Sequence, residues 1–156
     1  LQQFFLDNLP DQGPIRVVHG DYGLHNCLTG PDSTVAAVVD WEISTLGDPL
    51  ADLAYALNSF PDPNDQIPIP PEAATAVPGF PTRTQMAARY ADRTGRDISR
   101  LDYYYGFNRW KTACIVHGVY ARYMEGKKSS DGIDLVHMRT RIDGALTLSA
   151  QAVNRL

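Results

Sequence analysis

With 156 residues, 44% of them hydrophobic and 21% charged, the chain has the make-up of one globular domain. Such a domain buries roughly two-thirds of the surface its unfolded form exposes. A net charge of −4 with no basic patch argues against nucleic acid as a partner. No stretch nears the ~20 apolar residues of a membrane span, and LQQFFLDNLPDQG lacks the basic-then-apolar order of a signal peptide.

Gln2 to Leu9 reads as a short helix with Phe4, Phe5 and Leu9 on one face, broken by Pro10 to Pro14. Ile15 to Val18 is a β-prone run leading into His19. Asn26 to Leu28 and Val35 to Val39 are two more. Gly30-Pro31-Asp32-Ser33 between them is turn chemistry, so the spacing predicts a hairpin. The second run is apolar throughout, as in a strand covered on both faces. Asp48-Pro49 then opens a helix, with Asp48 as N-cap and proline in the first turn. Leu50, Leu53, Ala54 and Leu57 form its apolar face. Pro61 to Pro81 holds seven prolines and predicts a long irregular connection.

Thr82 to Ala91 reads as a helix. Ser99 to Gly126 reads as a long one, with Ser99 as N-cap and Gly126 past its end. It is apolar on most sides and therefore expected at the centre of the core. Asp131 to Leu156 reads as a last, amphipathic helix. The fold class is α+β and mostly helical: a small hairpin packed on a helical bundle. Cys27 and Cys114 lie in apolar runs, so buried free thiols in a reducing cytoplasm are expected.

The chemistry concentrates in HGDYGLHN, from His19 to Asn26, and in the DWE that begins at Asp40. A glycine permits a tight backbone beside Asp21. A hairpin returns the chain to where it began, so Asn26 and Asp40 fall at the same end of two paired strands, near Asp21. Amide and carboxylate oxygens are hard ligands suited to Mg²⁺, and few carboxylates leave room for phosphate oxygens and water. An aspartate off the metal can accept a proton from a hydroxyl. Phosphoryl transfer needs that combination. Asp and Asn are also common in loops as caps and turn formers, so it is the ordered set that carries the reading.

His19, Gly20, Asp21 and Asn26, followed by VVDWE and GDPLADLA, resemble the aminoglycoside phosphotransferase and choline kinase group of protein-kinase-like enzymes. The likeness is specific over Val17 to Leu57 and weaker over residues 107–126. Within the group, WEISTLGDPLADLAYA looks most like the kinase-like modules associated with acyl-CoA dehydrogenases, some of which act on hydroxyacyl-CoA. Antibiotic resistance is not what it points to.

The resemblance implies that Asp21 is the catalytic base and that Asn26 and Asp40 hold Mg²⁺ on the nucleotide phosphates. The nucleotide is ATP, with GTP left open. His19 and Asp52 support the catalytic loop; for Asp52 a helix-dipole role is the alternative. Glu42 has a minor role at the metal or acceptor, or is simply solvated. Arg109, Lys111, His117 and Arg122 break the apolar surface of the long helix and could face an acceptor groove, since a Coenzyme A substrate needs cations for its phosphates; individually they read as snorkelling surface residues plus one satisfied histidine.

The implied acceptor is a small-molecule hydroxyl. Residues 1–156 read as the C-terminal lobe of such an enzyme. Only about eighteen residues precede His19, with no glycine-rich loop and no strand lysine, so the nucleotide lobe is expected to be missing. The isolated chain is then expected to self-associate and to be inactive alone. A catalytically silent binding or scaffolding domain is the alternative reading.

Overall fold

The computed structural model describes residues 1–156 apart from Gln12, Gln66, Pro68 and Glu72. Helix α1 (Gln2–Asp7) precedes strand β1 (Arg16–Val18). A hairpin of β2 (Cys27–Thr29) and β3 (Val35–Val38) follows, then β4 (Thr45–Gly47) and four helices: α2 (Pro49–Leu57), α3 (Arg83–Thr94), α4 (Leu101–Met124) and α5 (Leu135–Val153). The fold is α+β with helix dominant, as its sequence predicts.

The strands form two separate antiparallel pairs. In the hairpin Cys27 faces Val38 and Leu28 faces Ala37, with an irregularity before Thr29 meets Val35. The expected turn closes it, Ser33 N–H donating to Gly30 O at 3.1 Å. The second pair was not legible in the sequence. Strand β1 finds its partner in Thr45-Leu46-Gly47, with Val17 opposite Leu46.

Phe5 anchors the core. It is 3% exposed and meets Phe4, Tyr103 and Phe107 edge to face. Burying a ring of that size contributes about 2–3 kcal/mol. Tyr103 Oη donates to Phe5 O at 2.9 Å, so α1 is held by a polar contact as well. Around it lie Leu50, Ala54 and Leu57 of α2, Ala87 of α3, Leu101 and Tyr103 to Tyr105 of α4 and Ala152 of α5. Gly106 lets α1 and α5 approach α4: a Cβ there would stand 3.3 Å from the Phe5 ring and from Ser149 O. Ser149 Oγ donates to Gly106 O across that contact at 2.7 Å.

Helix ends follow local chemistry. Asp48 caps α2 by accepting from Leu50 N–H at 2.9 Å, ahead of Pro49. Thr82 and Gln85 make a reciprocal capping box on α3, which runs three residues past its expected end to Gly95 at φ +66°. Gly126, also at φ +66°, closes α4 with two crossed bonds, Gly126 N–H to Tyr123 O and Lys127 N–H to Arg122 O. That double bond satisfies carbonyls the helix itself cannot.

Several expectations are corrected. Ser99 does not cap α4, which begins at Leu101. Its N–H and hydroxyl both turn back to the Asp97 carboxylate, the local competition that suits Ser and Asp to turns. Helix α5 starts at Leu135, capped by Asp134, rather than at Asp131. Helix α1 ends at Asp7, and Leu9 is 70% exposed.

Only the first half of α4 is central. Beyond Ala113 just α5 covers it, through Ile142 and Ala145, and Ile115 and Met124 are exposed. Cys114 is exposed and Cys27 half-buried, both as free thiols. Strand β3 is not covered on both faces: Val35 is 57% exposed and Ala36 and Ala37 are exposed too, because no other described element packs extensively on the hairpin. Among the described residues, no helix is long and apolar enough to cross a membrane.

Candidate active site

Strand β1 delivers His19 into the interior, where it is 1% exposed. The next turn is held from below by α2. Asp52, in the first turn of that helix, accepts from His19 N–H at 2.5 Å and from Gly20 N–H at 2.8 Å. One carboxylate thus binds two consecutive backbone donors, near a helix N-terminus that favours its negative charge. Gly20 sits at φ +87°, and a Cβ there would come within 3.2 Å of Ile43 O and Ile43 Cδ1. Glycine is required both by the backbone conformation and by the space.

The His19 ring joins the two halves of the site. Asp21 N–H donates to Nδ1 at 3.3 Å, which leaves the proton on Nε2, and Nε2 donates to Val39 O at 2.8 Å. That link runs from the loop of Asp21 to the residue before Asp40. The Trp41 ring lies against the imidazole, centroids 4.7 Å apart, and Trp41 Nε1 donates to Val38 O.

Asp21 is the most heavily supported carboxylate of the loop. Asn26 Nδ2 donates to its backbone oxygen at 2.9 Å and reaches its Oδ2 at 3.3 Å. His25 Nε2 lies 3.3 Å from the same oxygen, and the Tyr55 hydroxyl donates to the carboxylate. Burial pushes the Asp21 pKa up, but the bonds from Tyr55, His25 and Asn26 outweigh it and hold it below the ordinary 3.8. Tyr55 responds in the opposite sense: burial first, then its bond to Asp21, push its hydroxyl up to about 12.

Asn26 is 6% exposed, with Nδ2 committed to Asp21. Val39 N–H donates to Asn26 O at 2.9 Å, extending the hairpin ladder by one step. Asn26 and Asp40 therefore stand at the same end of β2 and β3. Asp40 adopts a left-handed conformation, φ +69° and ψ +46°, before the 3₁₀ turn Trp41–Ile43. Asp tolerates that region better than most residues. Its carboxylate is exposed and makes no hydrogen bond or ion pair among the described residues. Glu42, on the same turn, is exposed as well.

No three His, Cys, Asp or Glu side chains gather into a metal cage among the described residues. One amide oxygen and one carboxylate are what remain. That set fits a Mg²⁺ ion that keeps waters and takes its other oxygens from phosphates.

Two neighbours, His25 and Tyr55, escaped the sequence reading, and a third, Lys111, reads there as a surface residue. His25 had been given no role, yet it touches Asp21. Tyr55 carries no role in that reading, although it stands three residues after Asp52 and so on the same face of α2. Lys111 places its ammonium 5.8 Å from the centre of the Tyr55 ring. Arg122 and His117 stay on the surface of α4, Arg122 Nε bonded to Gly118 O.

The model of the phosphotransferase enzyme family matches residues 1–103. The chain is 36% identical over 129 residues to acyl-CoA dehydrogenase family member 10 of Mus musculus, covering 79% of this chain and 12% of that protein. It is 31% identical over 135 residues to acyl-CoA dehydrogenase family member 11 of Homo sapiens, covering 84% and 17%. A crystal structure from Ralstonia eutropha JMP134, assigned to the aminoglycoside phosphotransferases, superposes with a TM-score of 0.68 at 29% identity, over 88% of this chain and 43% of that one. The chain thus spans less than a fifth of these curated relatives and less than half of the solved structure.

Proposed function

This chain belongs to the phosphotransferase enzyme family, and from that premise we propose that it is the catalytic lobe of an ATP-dependent kinase for a small-molecule hydroxyl. The observation that carries the reading is the Asp21 carboxylate, held by three side-chain donors on a loop that Asp52 pins through two backbone amides.

In this reading Asp21 orients the acceptor hydroxyl and takes its proton. The acceptor oxygen forms a bond to the γ-phosphorus while the bond to the nucleotide's bridging oxygen breaks. Mg²⁺ supplies charge neutralisation on the phosphates, and Asn26 and Asp40 would hold it. His19 and Asp52 keep the loop in place, and Glu42 stays at the margin. A base held below the ordinary carboxylate range is a weak one. It suits a loose transition state, in which the leaving bond is mostly broken before the acceptor's proton moves.

The acceptor in this proposal is a hydroxyacyl-CoA rather than an aminoglycoside; relatives named as acyl-CoA dehydrogenases support an acyl-CoA-linked substrate and go no further. The test is ADP formation by the intact protein with ATP and Mg²⁺, against a panel of hydroxyacyl-CoAs, free hydroxy acids and an aminoglycoside. Acceptor-dependent ADP release is expected with a hydroxyacyl-CoA. Nucleotide binding without turnover on any acceptor would instead favour a silent binding domain.

The reading also includes a nucleotide lobe outside these residues, seated on the β-strands. Support comes from exposed apolar side chains on both strand pairs: Leu46 is 71% and Val17 64% exposed, opposite each other on β4 and β1, and Leu28 and Val35 are exposed on the hairpin. Such a surface promotes association. Residues 1–156 expressed alone are expected to form dimers or larger species at micromolar concentration. A monodisperse monomer by light scattering counts against the missing lobe.

A further inference from the structure

We propose a second ligand site, in the cavity enclosed by α3, the start of α4, the end of α5 and the segment after Pro61, which takes a small molecule through an oxyanion head group, carboxylate or phosphate. The inference does not depend on the phosphotransferase reading, since none of the residues assigned to that chemistry lines the cavity.

The cavity holds about 450 Å³, within the range of small-molecule sites. Three arginines and three aspartates reach its wall. Most of these charges are already matched. Arg155 binds Asp102 at 2.6 Å. Arg83 Nη2 donates to Asp65 and to Phe60 O. Asp62 accepts from the Thr84 hydroxyl at 2.7 Å and from Asn64 N–H.

Among the described residues two donors remain without an acceptor, and one guanidinium without a carboxylate. Arg83 Nε is buried and meets no partner. The Tyr105 hydroxyl is buried and meets none either; the residue is 6% exposed, with the Arg83 guanidinium 5.3 Å above its ring. Arg109 donates only to Asn58 O, at 2.7 Å, and pairs with no carboxylate among the described residues. Burial, then the nearby Arg83, lower its pKa from the usual arginine value. The other unpartnered buried atom, Asn58 Oδ1, is an acceptor and does not belong to the cavity wall.

A buried donor left unmatched forfeits its hydration with no return. Two such donors beside an unpaired guanidinium, in one cavity, amount to a receptor for acceptor oxygens and negative charge. Arginine offers a planar fork that fits carboxylate and phosphate alike. The rest of the wall, with Ala87, Ile98, Leu101 and Leu148, is apolar. It suits a ligand that carries a short hydrocarbon body behind its head.

The test uses the intact protein in EDTA without nucleotide, titrated by calorimetry with inorganic phosphate, butyrate or chloride at matched ionic strength. Saturable binding of phosphate, butyrate or both is expected, and none of chloride; the better of the two identifies the head group. Tyr105→Phe, which keeps the ring, is expected to weaken binding about tenfold, and Arg109→Gln to abolish it. If Arg109→Gln fails to fold, Tyr105→Phe decides. Absence of saturable binding by both probes overturns the proposal. So does binding that survives Tyr105→Phe unchanged.

Discussion

Replacing Asp21 by Asn in the intact protein is expected to lower turnover by about 10²- to 10⁴-fold, the usual worth of a general base. Affinity for Mg²⁺-nucleotide should barely move, because in the proposed mechanism Asp21 faces the acceptor and touches neither metal nor phosphate. Asp40→Asn should fail differently. It removes the one full negative charge from the Mg²⁺ shell, so nucleotide affinity and turnover both fall, and raised Mg²⁺ restores part of the loss. Steady-state kinetics with a Mg²⁺ titration separate the two. If Asp21→Asn abolished nucleotide binding while Asp40→Asn left binding and rate intact, the roles assigned here would be reversed.

The same carboxylate predicts a pH profile. The folded-state pKa of Asp21 lies below its ordinary value of 3.8. Its ionised form, which the mechanism needs, therefore persists at every pH above that region. Any stability linked to it is present above the unfolded pKa and is lost only as pH falls through the folded one. Asp21 should contribute no fall in turnover between pH 5 and 8. Tyr55, pushed up to about 12, keeps its proton and remains a donor over that range. Tyr55→Phe removes one of the interactions that lower Asp21, so the acid limb of the rate profile should move upward in pH. An unmoved acid limb would mean that Tyr55 does not set the ionisation of the base.

What could be read from the sequence was whatever local chemistry decides. The hairpin follows from two β-prone runs around Gly30 to Ser33, and with it the common end shared by Asn26 and Asp40. The starts of α2 and α3 follow from Asp48-Pro49 and Thr82, and the end of α4 from Gly126. What could not be read depends on neighbours far along the chain. Strand β4 is three residues whose pairing exists because β1 lies beside them. An apolar run such as Val35 to Val39 reads as doubly covered, but cover must come from another element, and none of those described here packs extensively on it. Tyr55 looks like helix surface until α2 docks under the Asp21 loop. Arg109 was visible as a break in an apolar helix; that no carboxylate among the described residues pairs with it is a fact of three dimensions.

Asp52→Ala should show how much of the site rests on one side chain. The substitution removes the acceptor for both His19 N–H and Gly20 N–H, which the loop presents side by side. Hydrogen bonds to a charged group are worth about 1.5–3 kcal/mol each, and one of the two donors belongs to a residue that is 1% exposed. Water can reach the partly buried carboxylate and discounts the sum, so a loss of about 3 kcal/mol in urea unfolding is expected. Asp52→Asn should lie between, since one amide oxygen can still serve one N–H while its NH₂ group opposes the other. Turnover should fall with both changes, because Gly20 at φ +87° aims the next residue, Asp21, only while the turn is held. The signature is joint: Asp21→Asn costs rate with little stability, and Asp52→Ala costs both. Unfolding of Asp52→Ala within about 0.5 kcal/mol of the parent, the usual scatter of surface changes, would show that the loop stands without its carboxylate.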